Sequence, residues 1–212
     1  MTQFLHLPPT VFMARLHEDV VVLDVQADRY ECLVDAAAWL NIAPDGALTV
    51  PDVDIARQLI EAGFATAEPR PPRSAIPVAR RELAPLPKTR RADRLRAFLS
   101  LSAGTAAFRG RALKRLVDEP GPASPGRAQD RQRLAAITAA ARAVAPWVPF
   151  EGECLQRAYL LRRLLRIEGW APSWVFGVRT WPFGAHCWLQ IDDLVIGDTL
   201  DRVRFYTPIM AA

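Results

Sequence analysis

Cys154, His186 and Asp198, all in the last third of the chain, are of the types that supply a nucleophile, a base and a group that orients the base. Such a set attacks a carbonyl carbon through a thiolate while the imidazole ferries protons. Cys154, Ala158, Leu161 and Leu165 recur at helical spacing and form one apolar stripe, with Cys154 in the first turn. At a helix start, unpaired backbone N–H groups and the positive end of the dipole favour thiolate over thiol, drawing a cysteine down from about 8.5 toward neutrality. An isolated cysteine is more often a small buried hydrophobe. The histidine and aspartate downstream turn the reading toward chemistry.

Those two must be delivered by strands. Ser173–Val178 and Gly184–Ile191 read as strands separated by the loop Thr180-Trp181-Pro182-Phe183. His186, Trp188 and Gln190 share one face of the second strand, and Cys187, Leu189 and Ile191 share the other, so Cys187 is predicted to point away from His186. After an Asp192-Asp193 turn, Leu194–Ile196 returns as a third strand ending at Gly197-Asp198. A three-residue loop sets Asp198 opposite His186 and a two-residue loop offsets it by one; either brings the carboxylate within reach of the imidazole. The Cys154 backbone N–H is a candidate oxyanion donor. No side-chain donor is evident, and Gln190 is only a weak candidate. Trp170, Trp174, Trp181 and Trp188 fall near this region; core packing is their default role, with one or two free to line a groove.

The chain has 212 residues, 50 % of them hydrophobic, enough for one or two ordinary cores. The start lacks a basic, apolar signal and no stretch approaches the roughly 18 apolar residues of a span, so a soluble cytoplasmic protein without membrane contact is expected. Three cysteines without CxxC spacing argue against a disulfide framework and a zinc site.

The net charge of +4 hides an asymmetry. Residues 1–67 hold three Arg against ten acids, a net −7; residues 68–133 hold sixteen Lys and Arg against six acids, a net +10; residues 134–212 hold eight against seven, a net +1. Val11–His17, Val20–Val25 and Tyr30–Leu33 read as an antiparallel meander, Asp35–Leu40 as a short helix, and Asp52–Ala62 as a helix with Ile55, Leu59 and Ile60 inward and Gly63 as its stop. Strands followed by helices suggest a winged-helix-like module. A net of −7 does not suit phosphate contacts, so no nucleic-acid partner is expected. Peptide capture along a strand edge or beside the last helix suits it better, with Val20, Val22, Tyr30, Leu33, Ile55 and Leu59 as candidate contacts. Residues 68–92 interleave proline and arginine and read as a semi-extended tether. Helices are predicted from Asp93 through Leu95, Phe98 and Leu99 to Leu116, with Gly104 a possible break, and from about Ala128 to Ala145, separated by the Pro- and Gly-rich run Glu119–Gly126. The whole reads as an α+β chain of two modules, residues 1–67 and 93–212, and the first is expected to bind peptide on its own.

Glu153-Cys154-Leu155-Gln156-Arg157-Ala158 with its Leu-rich helix, Trp174–Val178, Ala185–Ile191 and the terminal Phe205-Tyr206-Thr207-Pro208 together resemble the transglutaminase-like cysteine peptidase of lasso-peptide biosynthesis, the B protein. The front module is similar to the precursor-recognition element of such pathways, and to the small chaperone of pyrroloquinoline quinone biosynthesis. The resemblance implies a transglutaminase/papain-like α+β domain, with nucleophile Cys154, base His186 and third member Asp198. A small residue commonly follows the family's histidine; this chain has Cys187 there. It further implies removal of a leader peptide from a ribosomally made precursor, no bound cofactor, and dependence on a separate ATP-using, asparagine-synthetase-like cyclase that closes the macrolactam. A transglutaminase-like acyltransferase and a leader-binding chaperone without catalysis are the alternatives.

Overall fold

The computed structural model describes residues 1–84, 87–119, 130–148 and 153–212. The chain opens with β1 (Gln3–His6), followed by the meander β2 (Val11–Leu16), β3 (Asp19–Asp24) and β4 (Arg29–Leu33). β5 (Asn41–Ile42), β6 (Ala47–Val50) and α1 (Val53–Glu61) complete the front. Asp52 starts α1 by accepting the N–H groups of Asp54 and Ile55, both at 2.9 Å, and Gly63 ends it with φ +76°.

The front is not one sheet plus helices. β1, β6 and β5 form a second three-stranded sheet beside the meander, α1 is the front's one α-helix, and only a 3₁₀ turn, Ala36–Ala38, stands where a helix from Asp35 to Leu40 is predicted. In α1, Ala56 and Leu59 are buried, whereas Ile60 is 41 % exposed and does not face inward.

The middle strand β3 is buried on both faces, which decides how the two halves relate. Val20 and Val22 join Leu5, Met13, Leu48 and Leu59 in the front core. Val21 and Leu23, with Ala14 and Leu16 of β2, belong instead to the core that holds the C-terminal half's helices and sheet. Residues 1–67 are therefore not a self-contained unit: alone, they would expose a full sheet face of aliphatic side chains.

That second half contains β7 (Arg81–Glu82), α2 (Arg91–Phe108), α3 (Leu113–Val117), α4 (Arg131–Val144), α5 (Cys154–Ile167), β8 (Ser173–Arg179), β9 (Gly184–Ile191), β10 (Leu194–Ile196), α6 (Leu200–Val203) and β11 (Thr207–Ala211). The strands form one sheet in the order β11-β8-β9-β10-β7, antiparallel except for β10 with β7. α2, α4 and α5 share the larger core with one face of this sheet, and Val175, Trp188, Val195 and Val203 make a smaller core on the other. α2 runs unbroken through Gly104, where a Cβ would lie 2.6 Å from Leu160 Cδ2; glycine is what lets α2 approach α5. Ala97, Leu101, Gly104 and Thr105 are the buried residues of α2, and Leu95 and Leu99 are exposed. The helix stops at Phe108, and α3 is a separate turn rather than its continuation to Leu116.

Residues 68–92 are not a loose tether. Arg73 Nη2 donates to Pro8 O at 2.6 Å, the Pro77 carbonyl accepts Gln190 Nε2 at 2.7 Å, and β7 closes the edge of the five-stranded sheet, with Arg81 paired to Asp193. Pro85, the Pro120–Gly126 run, Ala128 and Phe150–Gly152 lie outside the described residues.

Candidate active site

Cys154 is the first residue of α5, after Glu153 in extended conformation, and no side chain caps the helix. The positive end of the helix dipole therefore lies at this residue. The partners come from β9 at a place where the sheet is deliberately incomplete. β10 pairs with β9 from Leu194↔Ile191 to Ile196↔Leu189 across a two-residue turn, and then stops. Gly197 turns the chain away at φ +77°; a Cβ there would sit 2.5 Å from Leu161 Cδ2 of α5. The β9 edge at His186 and Cys187 is left unpaired on the side from which β10 has departed. Cys154 occupies that gap.

Both residues reach it. His186 is almost fully buried, and its Nε2 lies 2.5 Å from Asp198 Oδ2, leaving Nδ1 for the sulfur of Cys154. Asp198 is held in turn by the Thr199 N–H at 2.8 Å, and the short helix α6 that follows is pinned by Glu82 of β7, whose carboxylate accepts the Leu200 N–H at 2.7 Å. The segment between the halves thereby positions the aspartate. Tyr206 and Trp188 flank the imidazole, with ring centroids 5.1 and 6.1 Å away.

Cys187 is where the structure departs from expectation. It does lie on the opposite face of β9 from His186, but that is the face α5 covers, so its side chain meets Cys154 instead of leaving the site. The hydrogen bond from the Cys187 thiol is the largest influence on Cys154, followed by that from His186; with the Cys187 backbone N–H they outweigh burial and draw the Cys154 thiol down to about 4. Cys187 moves the other way, pushed up first by that hydrogen bond and then by burial, so it keeps its proton. Burial pulls His186 down, but the Asp198 carboxylate and Cys154 hold it at about 8. Burial raises Asp198, yet its hydrogen bonds with His186 and the Thr199 N–H bring it below the ordinary carboxylate value. Between these limits Cys154 and His186 form a thiolate–imidazolium pair.

Gln190 is committed elsewhere: its amide bonds Trp188 Nε1, Pro77 O and Asp192 O beneath the sheet, so it does not reach the Cys154 sulfur as an oxyanion donor. Trp170, Trp174 and Trp188 are core residues, whereas Trp181 is 72 % exposed and donates its Nε1–H to Asp19 Oδ2 of β3 at 2.8 Å. The predicted peptide contacts divide. Val20, Val22 and Leu59 are buried in the front core and cannot touch a docked peptide, because their side chains are already covered; Leu33 and Ile55 pack partly against the same core. Tyr30 faces the other way, toward the C-terminal half, where its ring meets Phe183 at 5.7 Å. Among the described residues, no group of three or more His, Cys, Asp or Glu side chains is arranged to hold a metal ion. None of the described helices is long and apolar enough to cross a membrane.

The family model of the transglutaminase-like superfamily matches residues 95–211, more than half of the chain, a span that includes Cys154, His186 and Asp198. The chain belongs to the transglutaminase-like superfamily. Within it, the chain is similar to the microcin J25-processing protein McjB of Escherichia coli, with 39 % identity over 49 residues. That alignment spans 23 % of this chain and 24 % of the relative, about a quarter of each. No solved structure matches. In this transglutaminase-like unit the thiol at a helix start, beside a strand-borne histidine, is arranged for acyl chemistry through a thioester.

Proposed function

We propose that this protein is a cysteine peptidase that removes the leader from a ribosomally made lasso-peptide precursor. The observation that carries the reading is the placement of His186 between the Asp198 carboxylate and the half-buried Cys154 thiol. The substrate class is supported by the motif set quoted above and by the likeness to a protein named for processing microcin J25. In the reaction, the Cys154 thiolate attacks the scissile carbonyl carbon, and the carbonyl electron pair moves onto oxygen. His186 gives its Nδ1 proton to the leaving amine as the C–N bond breaks, leaving a thioester. Water then attacks the thioester while His186 takes its proton, releasing the leader carboxylate and regenerating the thiolate. Asp198 accepts the Nε2–H throughout and stabilises the imidazolium.

Residues 1–67 then serve leader recognition, residues 68–92 connect and brace, and residues 93–212 cut. β4 is the last strand of its sheet, and its outer edge suits capture of the leader as an added strand. A separate ATP-using, asparagine-synthetase-like cyclase receives the freed core peptide. Incubation with a synthetic precursor, with and without that cyclase and ATP, followed by mass spectrometry, tests the reading. Two fragments whose masses together exceed the precursor by one water support it. A product joined to an added amine points to acyl transfer, and an unchanged precursor that nevertheless binds points to a chaperone.

A further inference from the structure

Away from Cys154, one face of α5 gathers positive charge without gathering its complement. Tyr159, Arg162, Arg163 and Arg166 follow one another at helical spacing and so stand on one side of the helix. Arg111, between α2 and α3, and Glu119, after α3, meet them there. Arg163 Nη1 and Arg111 Nη1 lie 3.6 and 3.8 Å from Glu119 Oε1, Arg166 Nη1 donates to the Glu119 carbonyl at 2.8 Å, and the Tyr159 hydroxyl donates to Glu119 Oε2 at 2.7 Å. Arg162 is only 4 % exposed. Its guanidinium lies over the Trp174 ring, 5.6 Å from the centroid, and its Nε has no hydrogen-bond partner among the described residues. The Arg163 Nε is buried and unpaired there as well.

One carboxylate against four guanidiniums leaves this cluster short of negative charge. A buried cation that lacks a partner is costly to keep, so the arrangement calls for a further anion. Burial, and after it the Arg166 charge, draws the Arg162 guanidinium down to about 10, with Glu119 restoring only part. Glu119 is also short of acceptor oxygens. Oε2 is taken by Tyr159, and both guanidinium contacts at Oε1 exceed hydrogen-bond length. A phosphate group brings three acceptor oxygens and about 1.5–2 negative charges, and the planar guanidinium fork pairs with it two bonds at a time.

We propose that Arg111, Arg162, Arg163 and Arg166 form a binding site for a phosphate group, in which the Glu119 carboxylate stands where the ligand's oxygens go. The site is distinct from the one at the start of α5: Arg162 follows Cys154 by eight residues, roughly 12 Å at the helical rise. The same chemistry serves a free phosphate ion or a phosphate monoester.

The test is calorimetric titration of inorganic phosphate and of phenyl phosphate into the full-length protein at constant ionic strength, with malonate as a dicarboxylate control. Saturable phosphate binding is expected, at least about tenfold tighter than malonate. Tighter binding of phenyl phosphate marks a monoester as the source and tighter binding of inorganic phosphate marks the free ion; each supports the site. Arg163→Gln and Arg166→Gln, at partly exposed positions, should each weaken binding about tenfold, the worth of a hydrogen bond between charged groups. Glu119→Gln should instead tighten it about threefold, because the competing charge is gone. Absence of saturable phosphate binding overturns the proposal, as does malonate binding as tight as phosphate. Unchanged affinity in both arginine variants puts the ion elsewhere and overturns it too. Weaker binding in Glu119→Gln shows that the carboxylate holds the arginines as part of the scaffold, and that result likewise overturns the site.

Discussion

Cys187→Ala separates the two cysteines' roles by pH. The Cys187 thiol donates to the Cys154 sulfur and is the largest single contribution to keeping Cys154 at about 4, with the Cys187 backbone N–H and His186 also acting. Alanine removes the S–H donor and leaves the other two in place. A hydrogen bond to a charged acceptor contributes about 1.5–3 kcal/mol, and a thiol is a weak donor, so about 1.4 kcal/mol is the reasonable loss. That equals about one pKa unit. At pH 4.5, moving Cys154 from about 4 to about 5 lowers the thiolate fraction about threefold, while at pH 7 the group is fully ionised in both proteins. Iodoacetamide alkylation of Cys154 in a Cys32→Ser background, followed by intact mass from pH 3.5 to 8, reads the midpoint directly. Precursor cleavage at pH 7 should change less than about twofold. Deleting the buried sulfur also leaves a small void, at a cost of about 1 kcal/mol. An alkylation midpoint that does not move refutes the contact as the cause of the shift, and a large loss of cleavage at pH 7 refutes the division of roles.

Asp198→Asn removes the carboxylate that helps hold His186 at about 8, so the alkaline limb of cleavage, where the imidazolium proton is lost, should move down by about a unit or more and kcat should fall steeply; an unchanged pH–rate profile contradicts this. The stability from that pair has a defined window. His186 is raised above about 6.5, so its contribution is full below that value and fades as pH rises through about 8; Asp198 is lowered, so its contribution fades as pH falls below about 4. Denaturant unfolding should show the wild-type advantage over Asp198→Asn largest between those limits. Leu23→Ala, at a fully buried position shared with the C-terminal half, should cost about 2–5 kcal/mol and lower one calorimetric transition for the whole chain; a separate front transition with the remainder unmoved argues against a shared core. Gly197→Ala forces an L-residue into the left-handed region, about 1–2 kcal/mol, and brings a Cβ against Leu161, so melting temperature and cleavage should fall together; full activity would show that the β10 ending does not position Asp198.

Much of the C-terminal half was legible in the chain because its signals are local. The stripe from Cys154 through Leu165 marks α5, and the alternation from Gly184 to Ile191 marks β9, since both follow from backbone periodicity alone. The Asp192-Asp193 turn likewise set the hairpin to within one residue. Cys187 shows where such reasoning stops: alternation tells which side chains share a face, but not what covers that face, and here it is the helix carrying Cys154. The front half shows the same limit in a second form. Val20–Leu23 is a continuous hydrophobic run rather than an alternating one, the pattern of a strand buried on both faces, and it carried the signal that β3 serves two cores. Read as one side of a small module, it made Val20, Val22 and Tyr30 neighbours in a peptide groove. The fold separates them, because adjacent faces of a pleated strand belong to different cores and Tyr30 follows Leu23 into the larger one. The proline- and arginine-rich segment gave no periodic signal at all. Only the tertiary fold, which leaves an open edge beside β10 and a helix start whose Leu200 N–H finds its acceptor in the Glu82 carboxylate, turned that segment into a strand and a brace. Composition reports what a segment cannot do by itself; the partners that order it come from residues far away in sequence, and no local pattern names them.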